Sequence, residues 1–304
     1  MTSDIETLAQ QLEQHPDYKV LRRLPHTSVF NAELASNQLC RGVVLDTETT
    51  GFDPINDKVI ELGMLLFDFD PVSGHIHRVL DVLDELEDPG FSIPPATIAV
   101  HHITDEMVQG KHINDTQVQA FLQNVDVVVA HNAAFDRPFV EARWPIFETL
   151  NWACSIKDID WREEGFGSAK LEYLLTTQGY FYEAHRAEAD CRALLALLNH
   201  VLPQSQSTAL LVLLEKLNQP MKKVYAVGSP FETKDILKGR GYRWSADIRC
   251  WSRQVAGESE LQDELAWLKH KVYGERKARL EVETLGGTVR YSNREGHKEF
   301  ITLA

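Results

Sequence analysis

The stretch Val43-Val44-Leu45-Asp46-Thr47-Glu48-Thr49-Thr50-Gly51 constrains this chain more than any other. Three consecutive apolar residues read as a buried strand. Successive side chains alternate across a strand, so Asp46 and Glu48 share one face and Thr47 takes the other. Two neighbouring carboxylates repel each other and resist burial. A hard divalent cation, magnesium or manganese, relieves both conflicts because it prefers oxygen ligands. Gly51 then ends the strand. A bare Asp-x-Glu is common, and alone it reads as a strand running into an acidic turn. Its meaning depends on the residues elsewhere in the chain that can join it.

At 304 residues the chain can hold one large domain or two. A hydrophobic fraction of 43% is ordinary for a globular protein. No apolar run approaches the ~20 residues of a membrane span, so no membrane partner is expected. The acidic start, Met1 to Glu6, lacks the basic region and apolar core of a signal peptide. Cys40, Cys154, Cys191 and Cys250 are scattered. Their spacing suits neither a zinc site nor a disulfide framework, and it fits a reducing cytoplasm.

The net charge of −14 is unevenly spread. Residues 221–304 hold 16 Lys and Arg against 12 Asp and Glu, a surplus of +4. Residues 1–220 hold 15 against 33, or −18. An acidic body and a mildly basic tail imply two modules with different tasks. The boundaries read as an N-terminal extension over 1–40, a main domain over 41–204, a helical linker over 205–220 and a small α/β appendage over 221–304.

In chain order, Ile5, Leu8 and Leu12 make one stripe of a helix over 3–14, broken by His15-Pro16. Residues 18–21 read as a short strand, and 1–40 as a segment packed on the main domain. Strands over 43–50, 58–69 and 76–83 have short connections and form an antiparallel meander. Helices are expected after Pro94-Pro95, after Thr104 and over 116–125. Asp126 to Ala130 is a strand too apolar to alternate. It comes after a helical crossover, so it runs parallel to the first strand. Helices over 133–143, 170–178 and 187–202 complete the domain, the last ended by Pro203.

Two more clusters join Asp46 and Glu48. Asn132-Ala133-Ala134-Phe135-Asp136 puts an acid in the first turn of a helix leaving a buried strand, where the helix N-terminus favours negative charge. His185-Arg186-Ala187-Glu188-Ala189-Asp190 puts a histidine just before a helix and an acid in its first turn. Each alone is ordinary: a helix-start acid, a surface histidine.

Together, in this order, they resemble the DEDD family of 3′–5′ exonucleases in its histidine-containing branch. The proofreading epsilon subunit of bacterial DNA polymerase III, oligoribonuclease and ribonuclease T belong to that branch. The first motif matches at Asp46, Glu48 and Gly51, the second at Asn132, Phe135 and Asp136, the third at His185, Ala187 and Asp190. Val100-His101-His102-Ile103-Thr104 and Lys170-Leu171 are secondary matches; the family usually has glycine where this chain has His102. The resemblance covers roughly residues 41–203. It implies an α/β, ribonuclease H-like mixed sheet flanked by helices, consistent with the meander and the parallel strand.

The resemblance also implies a chemistry. Asp46, Glu48, Asp136 and Asp190 would hold two divalent cations, Mg2+ or Mn2+, spaced roughly 3.5–4 Å apart. His185 would take a proton from the attacking water, a task that suits a side chain ordinarily titrating near ~6.5. Thr49, Gly51 and Phe52 would lie near the terminal nucleotide, with Asn132 beside them. Phe52 reads equally as a base-stacking wedge or as core. Bound cations would also let an acidic domain grip phosphate. The expected partner is nucleic acid with a free 3′ end, DNA before RNA, with a polymerase or repair protein as a possible associate. The alternatives are an RNA-trimming exonuclease and a non-catalytic nucleic-acid adaptor.

Beyond helix 207–217, the tail reads as strand 223–227, helix 231–239, strand 249–255, helix 258–272 and a hairpin, 277–284 with 288–303, turning at Gly286-Gly287. Arginine interleaves with aromatics in Arg240 to Trp244 and Arg249 to Arg253. That pattern suits stacking on bases and contact with phosphates, or a small core built on Trp244 and Trp251.

Overall fold

The computed structural model describes residues 2–32 and 38–303. They fall into two compact units, 1–214 and 215–304. The division lies inside the helix Ala209–Leu217, within the segment expected as a linker.

The first unit contains strands β1 (Arg22–Arg23), β2 (Cys40–Thr49), β3 (Val59–Phe69), β4 (Ile76–Leu86), β5 (Val127–Ala130), β6 (Trp152–Cys154) and β7 (Tyr180–Phe181). Five of them form one sheet in the order β4-β3-β2-β5-β6. β2, β3 and β4 are the expected antiparallel meander, and β5 runs parallel to β2. β6, parallel to β5, was not expected. Its three residues are wholly buried, so they show neither alternation nor length.

Val43, Val44 and Leu45 of β2 have no exposure, and β5 is buried along its whole length. Each such side chain contributes about 1.5–3 kcal/mol of burial. The helix Ala187–Leu198 packs on β2 and β3. Gly63 permits that approach: a Cβ there would sit 2.5 Å from the Ala187 carbonyl carbon. Since Gly63 lies opposite Asp46 in the β2–β3 register, this contact brings the start of the helix close to Asp46.

Several boundaries differ from expectation. The strand placed at 18–21 is instead β1, which pairs in parallel with β7. The Arg22 amide donates to the Gly179 carbonyl and the Leu24 amide to the Phe181 carbonyl, each at 2.8 Å, and these bonds fix the register. The stripe Ile5, Leu8 and Leu12 of helix Thr2–Glu13 is exposed rather than packed, and Arg22 tethers the helix through Glu6 and Glu13. The helix expected over 116–125 spans Asp115–Phe121, because the Asn114 side chain caps the Thr116 and Gln117 amides. The helix expected to reach 202 stops at Leu198, where the Asn199 side chain accepts the Ile76 amide at 3.0 Å.

The second unit contains β8 (Met221–Tyr225), β9 (Arg243–Ser245), β10 (Cys250–Ala256), β11 (Ala278–Leu285) and β12 (His297–Leu303). They form a sheet in the order β12-β11-β8-β10-β9, antiparallel at every pairing. Leu261, Leu265 and Leu268 of helix Gly257–Leu268 pack with Leu237, Val224, Leu280 and Val282 into a separate core. The final hairpin does not turn at Gly286-Gly287 alone. β12 begins only at His297, and the intervening loop is tied down by the Gly296 amide donating to Glu283 at 2.6 Å. Among the described residues no helix is long and apolar enough to cross a membrane.

Candidate active site

The end of β2 carries Asp46 and Glu48 into an open cleft of about 430 Å³. Asp190 enters it from the first turn of the helix Ala187–Leu198. Carboxylate oxygens of Asp46, Glu48 and Asp190 lie within 4.8 Å of one another. Asp136 lines the same cleft from the helix Ala133–Arg143, outside that close triple. Its Oδ1 accepts from the Thr47 amide at 3.1 Å and from the Thr47 hydroxyl at 2.9 Å. Thr47, between the two acids of β2, therefore holds the Asp136 carboxylate in place.

This crowding has an electrostatic signature. Burial raises the Asp46 carboxyl well above its ordinary range, and the charges of Asp136, Asp190 and Glu48 raise it further. Burial, with Asp190 and Glu61 nearby, pushes Glu48 up to about 8. Burial pushes Asp136 to about 7 against the lowering effect of the Thr47 bonds. Asp190 is also raised by burial, opposed by hydrogen bonds from Tyr182 and the His185 amide. Among the described residues none of the four makes an ion pair. A set of oxygen donors that repel one another and make no ion pair of their own fits hard divalent cations.

His185 is exposed at the cleft. It adopts φ +66°, a left-handed conformation, and its amide donates to Asp190 Oδ2 at 2.7 Å. The Tyr182 hydroxyl donates to Asp190 Oδ1 at 2.8 Å. The segment 182–185 thus clamps Asp190 through both oxygens, and it continues directly from β7. Glu61, opposite Glu48 in the β2–β3 register, is 1% exposed. It accepts from the Arg186 guanidinium at 2.6 and 2.9 Å and from the Ala187 amide at 2.9 Å. This anchors the start of the third motif to the sheet.

Of the residues expected to meet the terminal nucleotide, Asn132 lines the cleft, exposed and at φ +88°. Thr49 is buried and donates to the Gly51 carbonyl at 2.6 Å. A Cβ on Gly51 would collide with the Asp57 carboxylate. Both shape the turn after β2 and lie outside the cleft lining. Phe52 is not core: it is 86% exposed, and its ring meets Phe135 edge-on at 6.1 Å. Phe135 lines the cleft. His102 takes φ +60°, a left-handed position that glycine occupies without strain. The sequence reading missed the roles of Thr47, Tyr182, Glu61 and Arg186. A threonine between two acids was visible; nothing local marks the other three.

Residues 43–198 match the family model RNase_T, described as Exonuclease. The chain is 30% identical over 163 residues to DNA polymerase III PolC-type of Lacticaseibacillus paracasei, a match covering 50% of this chain and 10% of the relative. It is 39% identical over 101 residues to DNA polymerase III PolC-type of Clostridium perfringens, covering 33% of this chain and 6% of the relative. The matched region therefore spans about a tenth or less of these relatives' length. Among solved structures, exonuclease X in complex with 5′ overhanging duplex DNA aligns with a TM-score of 0.40 and 24% identity, covering 56% of this chain and 99% of the other. E. coli exonuclease I in complex with a dA16 oligonucleotide aligns with a TM-score of 0.48 and 17% identity, covering 81% and 55%.

Proposed function

The chain belongs to the RNase_T exonuclease family, and on that premise we propose that it is a metal-dependent exonuclease that hydrolyses phosphodiester bonds from the 3′ end of DNA. The observation that carries this reading is the convergence of Asp46, Glu48 and Asp190 within 4.8 Å, with Asp136 and His185 lining the same cleft.

Asp46, Glu48, Asp136 and Asp190 would hold two divalent cations, magnesium or manganese. When bound, these supply charge neutralisation at the phosphate and a water acidic enough to attack it. His185 takes the proton from the attacking water. Tyr182 and the His185 amide keep the Asp190 carboxylate oriented. Phe52 and Phe135 offer ring faces to the terminal base, and Asn132 a side-chain amide to its sugar or phosphate. The PolC-type relatives support DNA over RNA as the polymer and a polymerase as a partner. Four unbridged cysteines agree with a cytoplasmic setting.

The test is incubation with magnesium and single strands of DNA and RNA labelled at either end. A 3′ label should leave at once as a mononucleotide, and a 5′ label should pass down a ladder. DNA should be degraded faster than RNA. His185→Ala should lower kcat by roughly 10²–10⁴-fold and leave manganese binding intact. Degradation of a strand whose 3′ end is blocked would overturn the polarity, and an unchanged kcat would remove His185 as the base.

A further inference from the structure

The second unit carries an exposed tryptophan that its own core does not use. Trp251 on β10 packs against the core cluster. Trp244 stands directly opposite it on β9, the last strand of the sheet. The two rings lie 5.6 Å apart and tilted by 59°, so Trp251 does not stack flat on Trp244. Trp244 is left 52% exposed, unusual for the largest aromatic side chain. Ile248, in the turn joining β9 to β10, is 55% exposed.

Positive charge gathers in two stretches of this unit, 269–279 and the residues around that tryptophan. Residues 234–253 contain six Lys or Arg against two Asp, a surplus of +4, equal to that of the whole tail over 221–304. Three of the six are already engaged. Arg240 and Arg253 pair with the buried Glu264, and Lys234 lies over the Phe231 ring at 4.3 Å. Lys238, Arg243 and Arg249 are exposed and make no ion pair among the described residues. Arg249 sits in the β9–β10 turn and Arg243 adjoins Trp244, so free guanidinium groups flank an open indole.

We propose that the β9–β10 hairpin is a binding site for single-stranded DNA, in which Trp244 stacks on a base and Arg243 and Arg249 hold the flanking phosphates. The choice of occupant rests on charge complementarity. A strand carrying one negative charge per nucleotide and an exposed π-face per base matches an indole flanked by free cations. An apolar protein partner would leave the arginines unmatched. This inference adds a second contact with the polymer that the cleft is proposed to cut, and it rests on that reading for the choice of DNA. Arg240 and Arg253, by contrast, belong to the fold.

The experiment is titration of the full-length protein with an oligothymidylate in the presence of a chelator. Binding is then read without cleavage, and the outcome stays separate from whether the cleft hydrolyses anything. Tryptophan fluorescence should be quenched on binding. Trp244→Ala should weaken affinity by roughly 5- to 150-fold, the equivalent of one base stack, and remove most of the quench. The double variant Arg243→Gln, Arg249→Gln should weaken binding and reduce the magnitude of the salt slope by about 1.4. Thermal melts of both variants should match the wild type, since all three side chains are on the surface. If affinity, quench and salt slope stay within twofold of the wild type, the proposal is overturned and the hairpin is a protein-docking face or structural.

Discussion

Glu264 of the second unit and the cleft acids of the first are carboxylates held in opposite ways. In the second, Glu264 is fully buried and lies between two guanidinium groups, Arg240 at 3.2 Å and the closer Arg253. Arg253 also reaches Glu260 at 3.1 Å. In the first, Asp46, Glu48, Asp136 and Asp190 line one cleft, with Glu172 and Lys170 also in its wall, and no arginine or lysine makes an ion pair with any of these acids among the described residues. Glu264 is neutralised by its own chain, so its cluster can only hold the fold. The cleft acids, when ionised, leave a repulsion in the folded state that a cation from outside can relieve. The difference teaches where to look for a ligand: at the acids the fold has not paired.

The largest effects should come from removing one acid of each kind. Asp46→Asn should lower nuclease activity by roughly 10³-fold or more. It should also raise the stability of the metal-free protein by roughly 1–2 kcal/mol, the value of about one pKa unit of relieved repulsion. Manganese should raise the melting temperature of the wild type much more than that of this variant. Glu264→Gln should do the reverse. It leaves Arg240 without its carboxylate and Arg253 with Glu260 alone, and should cost about 3 kcal/mol, while hydrolysis of a small nitrophenyl nucleotide continues at the wild-type rate. If both variants lost stability in the metal-free state, the comparison would fail.

The same contrast predicts a pH dependence. Unfolded carboxyls ionise near about 4. In the folded first unit Glu48 is pushed to about 8 and Asp136 to about 7. Between those values the folded state binds more protons than the unfolded, so unfolding free energy falls as pH rises. For these two groups the penalty is absent below about pH 4 and grows as pH rises through about 7 and about 8. In a chelator the melting temperature of the first unit should therefore drop from about pH 5 to about pH 8, and manganese should restore it at the upper end. A flat profile in chelator would show that the cleft acids are not strained.

Glu61 offers an intermediate case inside the first unit. It is as buried as Glu264, faces Glu48 across the sheet, and is held by Arg186. Arg186→Gln would convert it into a fifth unpaired acid. The loss should be roughly 1–2 kcal/mol in chelator, because the Ala187 amide still donates and Arg186 is 44% exposed. Manganese should recover part of that loss. Denaturant titrations with and without the metal decide it, and no change in either would place Glu61 outside the electrostatics of the cleft.

How far these arrangements could be read from sequence depends on the reach of the interactions. Asp46, Glu48, Asp136, His185 and Asp190 were legible because each sits at a strand end or helix start that local pattern defines. β5 was legible from its apolar run, and β6 was not, since Trp152 to Cys154 is too short to show a period. Tyr182 was invisible because its bond to Asp190 reflects the path of the chain after β7, not a spacing rule. The arginines of the tail were half legible. Arg240 and Arg253 look like Arg243 and Arg249 in sequence, all four beside aromatics. The first two are claimed by Glu264, 24 and 11 residues further along, and sequence pattern carries no sign of that pairing.

The smallest expected effect lies within the Glu264 cluster itself. Arg253, 23% exposed, makes the closer contact with Glu264 Oε2 and holds Glu260 as well. Arg240 is 38% exposed, reaches the same oxygen at 3.2 Å, and lies over the Trp267 ring at 5.2 Å. Removing Arg240 leaves Glu264 with its closer partner, and water can take part of the vacated place. Arg240→Gln should therefore cost about 1 kcal/mol, of which the contact with the indole supplies roughly half. Arg253→Gln should cost two to three times as much, because it leaves a fully buried carboxylate with the weaker and wetter partner. Both losses, read from urea midpoints at constant slope, should be indifferent to manganese, unlike every change made in the cleft. Equal losses would mean that the three side chains act as one network in which either arginine is indispensable. A manganese-dependent loss would mean that the second unit also holds a cation, and the division between paired and unpaired acids would no longer separate fold from function.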